Sequence, residues 1–295
     1  MLQLRVFGAA AAMADVAARL QEIPGSRHVV HTGGRDVGHA VVMADLVDAA
    51  ADRALAEVKR LGVPTDDVTL VRVDSIAPSV ADRPRDTVVW ADLLTQADVN
   101  ARPLARYMVF MISAGVIAAF GVIYANVTLV VGAMAISPDT LPISAAATAI
   151  VLGRGRLTVR AVSALLAGLG AVCLVGGIIT FGLNQLGLLR AGFDIGSAFL
   201  QGLSTVNIST PIVAFTAGVA GMLALETRAS SAVGVAISVT TIPASAYLGV
   251  AAGVGEVGKA AGALLVLGVN ILMLLAGGSS TLLVQRRLAK GDHHP

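Results

Sequence analysis

The residues with the clearest chemical potential lie in a short polar stretch inside an apolar region. Residues 137–142 read Ser-Pro-Asp-Thr-Leu-Pro, which places one carboxylate and two hydroxyls between two prolines. Proline removes a backbone N–H and interrupts a helix, and a carboxylate at membrane depth is costly unless it is hydrated, paired or protonated. We interpret Asp139 as a ligand for a cation or a proton. The alternative is a hydrated carboxylate in a water-filled vestibule.

A second polar stretch could complement the first. Residues 240–243 read Thr-Thr-Ile-Pro, again hydroxyls next to a proline inside an apolar run. Amides near or within the apolar runs could line a pore or bridge helices, the commoner role. The two stretches are expected to meet near the membrane centre. The predicted transport-site residues are Ser137, Pro138, Asp139, Thr140, Pro142, Asn207, Thr240, Thr241, Pro243 and Asn270.

The N-terminal region offers a weaker candidate for ligand binding. Gly33, Gly34 and Arg35 lie between two β-rich runs, where backbone N–H groups and a guanidinium could hold an anion such as a nucleotide phosphate. A plain hairpin turn explains the same residues. His28 and His31 are three residues apart, so on one strand they face opposite sides, and no metal site is predicted there, even with the nearby His39.

Signatures of catalysis are missing from the sequence. There is no His-Glu-x-x-His, no Gly-x-Ser-x-Gly and no nucleophile with an evident base. The single cysteine, Cys173, excludes a disulfide framework. We therefore expect neither an enzyme nor a cofactor.

Composition sets the class of protein. The chain has 295 residues, 56% hydrophobic and 14% charged, with a mean hydropathy of +0.80, whereas soluble domains average about 25% charged residues. Residues 1–104 carry 11 Lys/Arg and 14 Asp/Glu, and the longer remainder carries 10 and 5. A charged, soluble-looking segment thus precedes a long apolar one, and the pattern favours a lipid bilayer over nucleic acid as the partner.

Residues 1–75 are predicted to form a small cytoplasmic domain. Periodicity alternates between strand-like and helical runs in the order β-α-β-β-α-β, the ferredoxin-like split βαβ unit. Residues 76–104 follow as a linker, in which 86–101 favour an amphipathic helix that includes Trp90. Trp90 suits either the headgroup level of a membrane or a helix packed between the domain and the bilayer.

Residues 105–287 are predicted to be a helical membrane domain, followed by a cytoplasmic tail at 288–295. Arginines and lysines concentrate in alternate loops, so both termini are expected in the cytoplasm. No cleavable signal peptide is expected at the N-terminus. The six predicted spans are 107–125, 127–152, 159–186, 199–225, 231–252 and 260–284.

A weak internal repeat links the two polar stretches. Residues 131–137 and 233–238 both begin with Val-Gly and end with Ala-Ile-Ser, and each precedes a proline. They fall in the second and fifth spans, so an offset of three spans predicts a 3+3 inverted-topology repeat. Interrupted helices at matching positions are typical of a transport site. Composition alone could also produce the similarity.

Residues 130–142, Val-Val-Gly-Ala-Met-Ala-Ile-Ser-Pro-Asp-Thr-Leu-Pro, resemble the signature run of a bacterial and archaeal family of hydrophobic proteins, domain of unknown function 389. Residues 232–238 before Pro243, Asn207 ahead of 217–221, and Asn270 also resemble that family. The chain departs from it at residues 139–141, where Leu-Met-Gly is usual, and at Val206, where proline is common. The resemblance implies a multi-pass protein of a bacterial or archaeal plasma membrane and supplies no mechanism.

Two functions remain open at this stage. Broken helices and Asp139 favour a channel or transporter, regulated by a cytoplasmic domain that binds a small anionic metabolite such as a nucleotide. The alternative is a membrane-anchored metabolite sensor or scaffold without transport. Spans rich in Gly, Ala, Ser and Thr favour close helix contact, so a homo-oligomer is expected.

Overall fold

The chain divides into two compact units, residues 1–93 and 94–295. A computed structural model of the protein describes most of both units. The described residues are 2–34, 38–72, 90–102, 105–189, 195, 201–227 and 230–291.

The first unit is a four-stranded antiparallel sheet with two helices. Its strands pair in the order β2-β3-β1-β4, and the β-α-β-β-α-β order predicted from the sequence is present. Along β1 the residues that face the helices alternate with outward ones, so Leu2, Leu4 and Val6 are buried. The elements are β1 (Leu2–Ala9), α1 (Ala10–Gln21), β2 (Ser26–Gly33), β3 (His39–Leu46), α2 (Asp48–Arg60) and β4 (Val68–Arg72).

Register in this sheet follows from the buried alternation. Leu4 lies opposite Ala44 of β3 and Leu70 of β4, and α1 adds Met13 and Leu20 to the same core. A slip of one residue would turn every buried side chain of β1 to the outer face. The apolar pattern of β1 therefore specifies which of its residues face the core.

The second unit consists of helices. The described residues of this unit form no strand, and its first helix, α3, begins just before the boundary between the units. The helices are α3 (Trp90–Asn100), α4 (Ala105–Ile123), α5 (Val127–Ile136), α6 (Thr140–Val151), α7 (Gly155–Gln185), α8 (Ser209–Thr227), α9 (Ser230–Val254) and α10 (Val257–Gly291).

Several of these helices are apolar and long enough to cross a membrane, as expected for a multi-pass membrane protein. Within the described residues there are four, or five if the bent pair α5–α6 counts as one span. The six predicted spans are not confirmed. The predicted fourth span, 199–225, is the main difference, because its apolar helical part is the shorter segment Ser209–Ala224.

The break between α5 and α6 lies where the prolines predict it. The two helices meet at an angle of 55°. Ser137 is extended, with φ −68° and ψ 127°, because the ring of Pro138 disfavours a helical conformation in the residue before it. Pro142 lies in the first turn of α6, where a missing N–H costs no helical hydrogen bond.

The predicted break at Thr240–Pro243 is wrong. α9 continues from Ser230 to Val254 with Pro243 inside the helix. Proline is tolerated inside a membrane helix when neighbouring groups satisfy the backbone around it. Here Asn270 of α10 donates its side-chain N–H to the Thr240 carbonyl, 2.5 Å away.

Glycines bring α9 close to α7. A Cβ on Gly249 would overlap the carbonyl oxygen of Cys173, and one on Gly253 would crowd Gly177 of α7. With backbones this close, neither position accepts a larger residue without moving a helix. α9 is thereby held at a fixed distance from α7, and this contact helps to position the polar residues of α9.

Candidate functional site

Asp139 lies at the break between α5 and α6 and is fully buried, with 0% of its surface exposed. It occupies the N-cap position of α6 with helical backbone angles, but its side chain makes no capping hydrogen bond. The carboxylate therefore remains available for partners outside its own helix. The N-terminal end of α6 also contributes a partial positive charge near it.

Three hydroxyls donate to this carboxylate. Ser137 Oγ, two residues earlier, is 3.1 Å from Asp139 Oδ1. Ser238 Oγ of α9 donates to the same oxygen, and Thr241 Oγ1 of α9 donates to Oδ2. Residues about 100 positions apart in the chain thus share one buried polar cluster, which we call the Asp139 cluster: Ser137, Asp139, Ser238 and Thr241.

No cation balances the carboxylate among the residues that the structure describes. The ion pairs found there involve other carboxylates. Apolar residues pack around the cluster, including Met111, whose sulfur is 3.4 Å from Ser137 Oγ. Removing an ionised carboxylate from water costs several kcal/mol unless an opposite charge offsets it. Among the described residues, the side chains that offset this cost are the three hydroxyls.

Asn270 adds an acceptor without a partner beside the cluster. It is 4% exposed, and its nitrogen faces the Thr240 carbonyl, which can only accept a hydrogen bond. Its Oδ1 is buried and has no hydrogen-bond partner among the described residues. A buried acceptor left unpaired in this way is typical of a site for water or an ion.

The structure brings the two predicted stretches together, as expected, but through different residues than predicted. Thr241 reaches Asp139, whereas Thr240 Oγ1 bonds back to the Ile237 carbonyl of its own helix at 3.0 Å. Thr140 begins α6 and Pro142 is buried in its first turn. None of the hydrogen bonds found at Thr140 or Thr240 reaches the carboxylate.

Asn207 has a local role. Its Oδ1 accepts from Ser209 Oγ at 2.6 Å, from Thr210 N at 3.1 Å and from Thr210 Oγ1 at 3.0 Å. These contacts satisfy the free N–H groups at the start of α8, as an N-cap does. Asn126 caps α5 in the same manner, accepting from Thr128 N and Leu129 N.

Sequence reasoning missed Ser238. Its signal was nonetheless present, because Ser238 ends the second copy of the internal repeat as Ser137 ends the first. Both serines donate to the same oxygen of Asp139. The end of each similar run, residues 131–137 and 233–238, therefore supplies one donor to the same carboxylate oxygen.

The predicted anion site of the N-terminal unit is only partly described. Gly34 N donates to the His39 carbonyl at 2.7 Å, which is a hairpin contact, while Arg35 lies outside the described residues. Nearby, His28 Nδ1 is 3.0 Å from Asp45 Oδ2. The described residues contain no group of three or more His, Cys, Asp or Glu side chains placed to hold a metal.

Comparison with known proteins gives one match. Residues 134–276 match the model of the family described as Domain of unknown function (DUF389). No curated protein and no solved structure matches the chain. The matched segment contains Asp139, Ser238 and Thr241 together with Asn270. The resemblance predicted from the sequence is thus confirmed: through the segment that holds the Asp139 cluster, the chain resembles the DUF389 family.

Proposed function

We propose that this multi-pass membrane protein is a channel or transporter for a proton or a small monovalent cation, which binds at the Asp139 cluster. The observation that carries the proposal is the fully buried Asp139 carboxylate, held by three hydroxyls from two separate segments and by no cation of the described chain. Such a group is rare in a membrane domain unless it serves an ion pathway.

The oxygen chemistry of the cluster suits a hard cation. A hydroxyl donates to a carboxylate when no ion is bound, and its oxygen can turn to coordinate a cation when one arrives. The carboxylate, three hydroxyls and the unpaired Asn270 Oδ1 offer oxygen ligands. Hard cations prefer oxygen ligands.

The break at residues 137–139 supports a pathway. The last carbonyls of α5 have no partner within that helix, and freed backbone groups at membrane depth must face protein or a water-filled cavity. At the transport sites of other membrane proteins, such carbonyls of broken helices coordinate Na⁺ or a proton. Asp139 stands directly after the break, where a cation can contact both sets of oxygens.

The N-terminal unit is proposed to regulate this activity in the cytoplasm. A small anionic metabolite bound near Gly33 and Gly34 would bias the membrane unit if it binds two conformations with different affinity. We further propose that both termini lie in the cytoplasm. We also propose a homo-oligomer, in which the glycine-rich helices of neighbouring subunits pack against each other instead of facing lipid. Both proposals rest on the sequence patterns rather than on the Asp139 cluster.

Flux in liposomes tests the proposal. The full chain is reconstituted with a trapped pH-sensitive dye, and separately with a trapped Na⁺-sensitive dye, and an ion gradient is applied. Asp139→Asn keeps the shape of the side chain and removes its charge. We expect it to lower the flux of the carried ion at least about tenfold, since each lost charge interaction of this kind is worth more than one factor of ten.

Ser245→Ala is the matched control. Ser245 is a fully buried hydroxyl of α9, one helical turn beyond Thr241, but it donates to the Leu169 carbonyl of α7 at 2.6 Å rather than to Asp139. Its flux should stay within about twofold of wild type. Wild-type protein that carries neither ion, or Asp139→Asn with unchanged flux, would contradict the proposal and favour a sensor or scaffold without transport.

A further inference from the structure

A cavity of about 680 Å³ lies in the second unit, between α3 and the turn that joins α6 to α7. Its size is that of a small-molecule site. Arg154, Arg156 and Arg160 line it together with one carboxylate, Asp98. Three guanidiniums and one carboxylate leave a formal surplus of two positive charges around this space, which is distinct from the Asp139 cluster.

Asp98 holds Arg160 through one carboxylate oxygen and Arg102 through the other. Arg160 Nη2 donates to Asp98 Oδ1 and, at 3.0 Å, to the Asp98 carbonyl. Arg102 Nη2 donates to the remaining carboxylate oxygen at 2.7 Å. Hydrogen bonds from Arg102 and then Arg160 hold the pKa of Asp98 below its usual value. Asp98 therefore stays ionised at neutral pH and serves as a fixed anchor for Arg160.

The other two arginines are uncommitted. Arg154 and Arg156 are exposed, and within the described residues neither guanidinium makes a hydrogen bond or an ion pair. Two free guanidiniums beside a third that is held in place can each offer paired N–H donors to the same anion. Arginines scattered over a surface would each be solvated separately, whereas these three line one cavity.

The backbone of the turn adds donors to this cavity. Arg154 N donates to the Ala149 carbonyl at 2.9 Å and is therefore not available to a ligand. Gly153, with φ +66°, makes this turn possible. The next amides begin α7, and no side chain caps them. A Cβ on Gly155 would meet nothing within 4 Å, so an anion can approach this backbone closely.

We infer that this cavity binds the phosphate group of an anionic ligand, either the headgroup of an acidic phospholipid or a phosphate dissolved in water. Arginine clusters with uncapped helix amides are suited to phosphate oxygens. α7 is a 31-residue apolar helix that begins at this cavity. A helix of that length exceeds the hydrocarbon thickness of a bilayer, so the cavity lies at a membrane surface, where acidic headgroups are concentrated.

Binding to the full chain in detergent tests the inference. Native mass spectrometry measures how many phosphatidylglycerol molecules the protein retains, with phosphatidylcholine as the neutral comparison. Inorganic phosphate is tested separately by its effect on thermal unfolding. We expect Arg154→Gln/Arg156→Gln to bind the preferred phosphate ligand roughly a hundredfold more weakly, because two charge-assisted contacts are lost. Both side chains are exposed, so the variant should fold as wild type does.

Arg106→Gln/Arg287→Gln is the control with the same change in charge. Both residues are exposed and lie on α4 and α10, outside the cavity, and their removal should leave binding unchanged. Retention of phosphatidylglycerol alone identifies a lipid headgroup site, and stabilisation by inorganic phosphate alone identifies a dissolved ligand. Equal losses in the two double variants, equal retention of both lipids without a phosphate effect, or no binding at all would overturn the inference. Each of these results is independent of ion flux.

Discussion

Two aspartates of the second unit both accept hydrogen bonds from side chains, but their surroundings are opposite. Asp98 is 44% exposed and receives two guanidiniums, whereas Asp139 is fully buried and receives three hydroxyls. Water already solvates much of the exposed Asp98 carboxylate, so its two arginine contacts add little stability. The buried Asp139 carboxylate is removed from water and contacts no cation among the described residues.

The two carboxylates differ in how the cost of their charge is offset. A surface ion pair contributes little because water and salt screen it, so Asp98 serves mainly to orient Arg160. An unpaired charge in an apolar interior is costly, and the described residues offer Asp139 three hydroxyls and no cation. Under the proposed function, a proton or a bound cation balances the Asp139 charge. Variants that act on one aspartate should therefore leave the other unaffected.

The largest effect is expected from Ser238→Ala/Thr241→Val. It removes two of the three donors to Asp139 and leaves shape nearly unchanged. Each lost hydrogen bond to a buried charged group costs about 1–3 kcal/mol, so the loss of two should lower the free energy of unfolding by about 2–6 kcal/mol. Flux should fall with it. Thermal unfolding and liposome flux are the measurements.

Ser245→Ala again serves as the control for this variant, since its hydroxyl bonds to backbone instead of to Asp139. If the double variant were no less stable than Ser245→Ala and carried ions equally well, the Ser238 and Thr241 hydroxyls would have no role in stability or flux. The contrast drawn between Asp139 and Asp98 would then fail.

An intermediate effect is expected from Gly249→Ala. The added methyl would overlap the Cys173 carbonyl and push α9 away from α7. Overpacking of this kind costs about 1–3 kcal/mol. Because α9 carries Ser238 and Thr241, flux should decrease as well, while phosphate binding at the cavity beside Asp98 should remain.

Gly170→Ala provides the reference, because a methyl at that exposed position of α7 meets nothing within 4 Å. Alanine favours a helix over glycine, so this variant should be slightly more stable than wild type. Equal stability of the two alanine variants would show that the α7–α9 contact does not set the position of the cluster.

The smallest effect is expected from Asp98→Asn. Guanidinium contacts lower the folded-state pKa of Asp98 relative to the unfolded chain. Its stabilising contribution is therefore present above about pH 4 and is lost as the pH falls through the lower, folded-state pKa. With 44% exposure and solvent screening, the contribution at neutral pH is at most ~1 kcal/mol.

Thermal unfolding of wild type and Asp98→Asn across pH 2 to 7 checks the sign. The two curves should converge at the acid end and separate slightly at neutral pH. A separation that grows toward low pH, or a variant that loses ion flux, would mean that Asp98 is more than an anchor for Arg160.

The sequence by itself determined what short-range chemistry dictates. Alternation of apolar residues predicts the strand and helix order of residues 2–72, and prolines at 138 and 142 predict the α5–α6 break, because proline acts on its own turn and on the residue before it. The apolar runs establish a membrane protein, and residues 130–142 carry the family resemblance. Asp139 is also recognisable from the sequence alone, because it is a charged residue inside an apolar region.

Only the tertiary structure decided which polar groups are partners. Thr240 and Thr241 are equivalent in sequence, yet only Thr241 donates to Asp139, because successive residues of a helix point about 100° apart. Asn207 accepts a hydrogen bond from Thr210 N at the start of α8, a contact that the sequence did not predict. Pro243 predicted a break, but α9 is continuous through it, and Asn270 of α10 donates to the Thr240 carbonyl in the preceding turn. In each case a neighbour distant in the chain supplies or withholds a hydrogen bond, and local sequence carries no record of that neighbour.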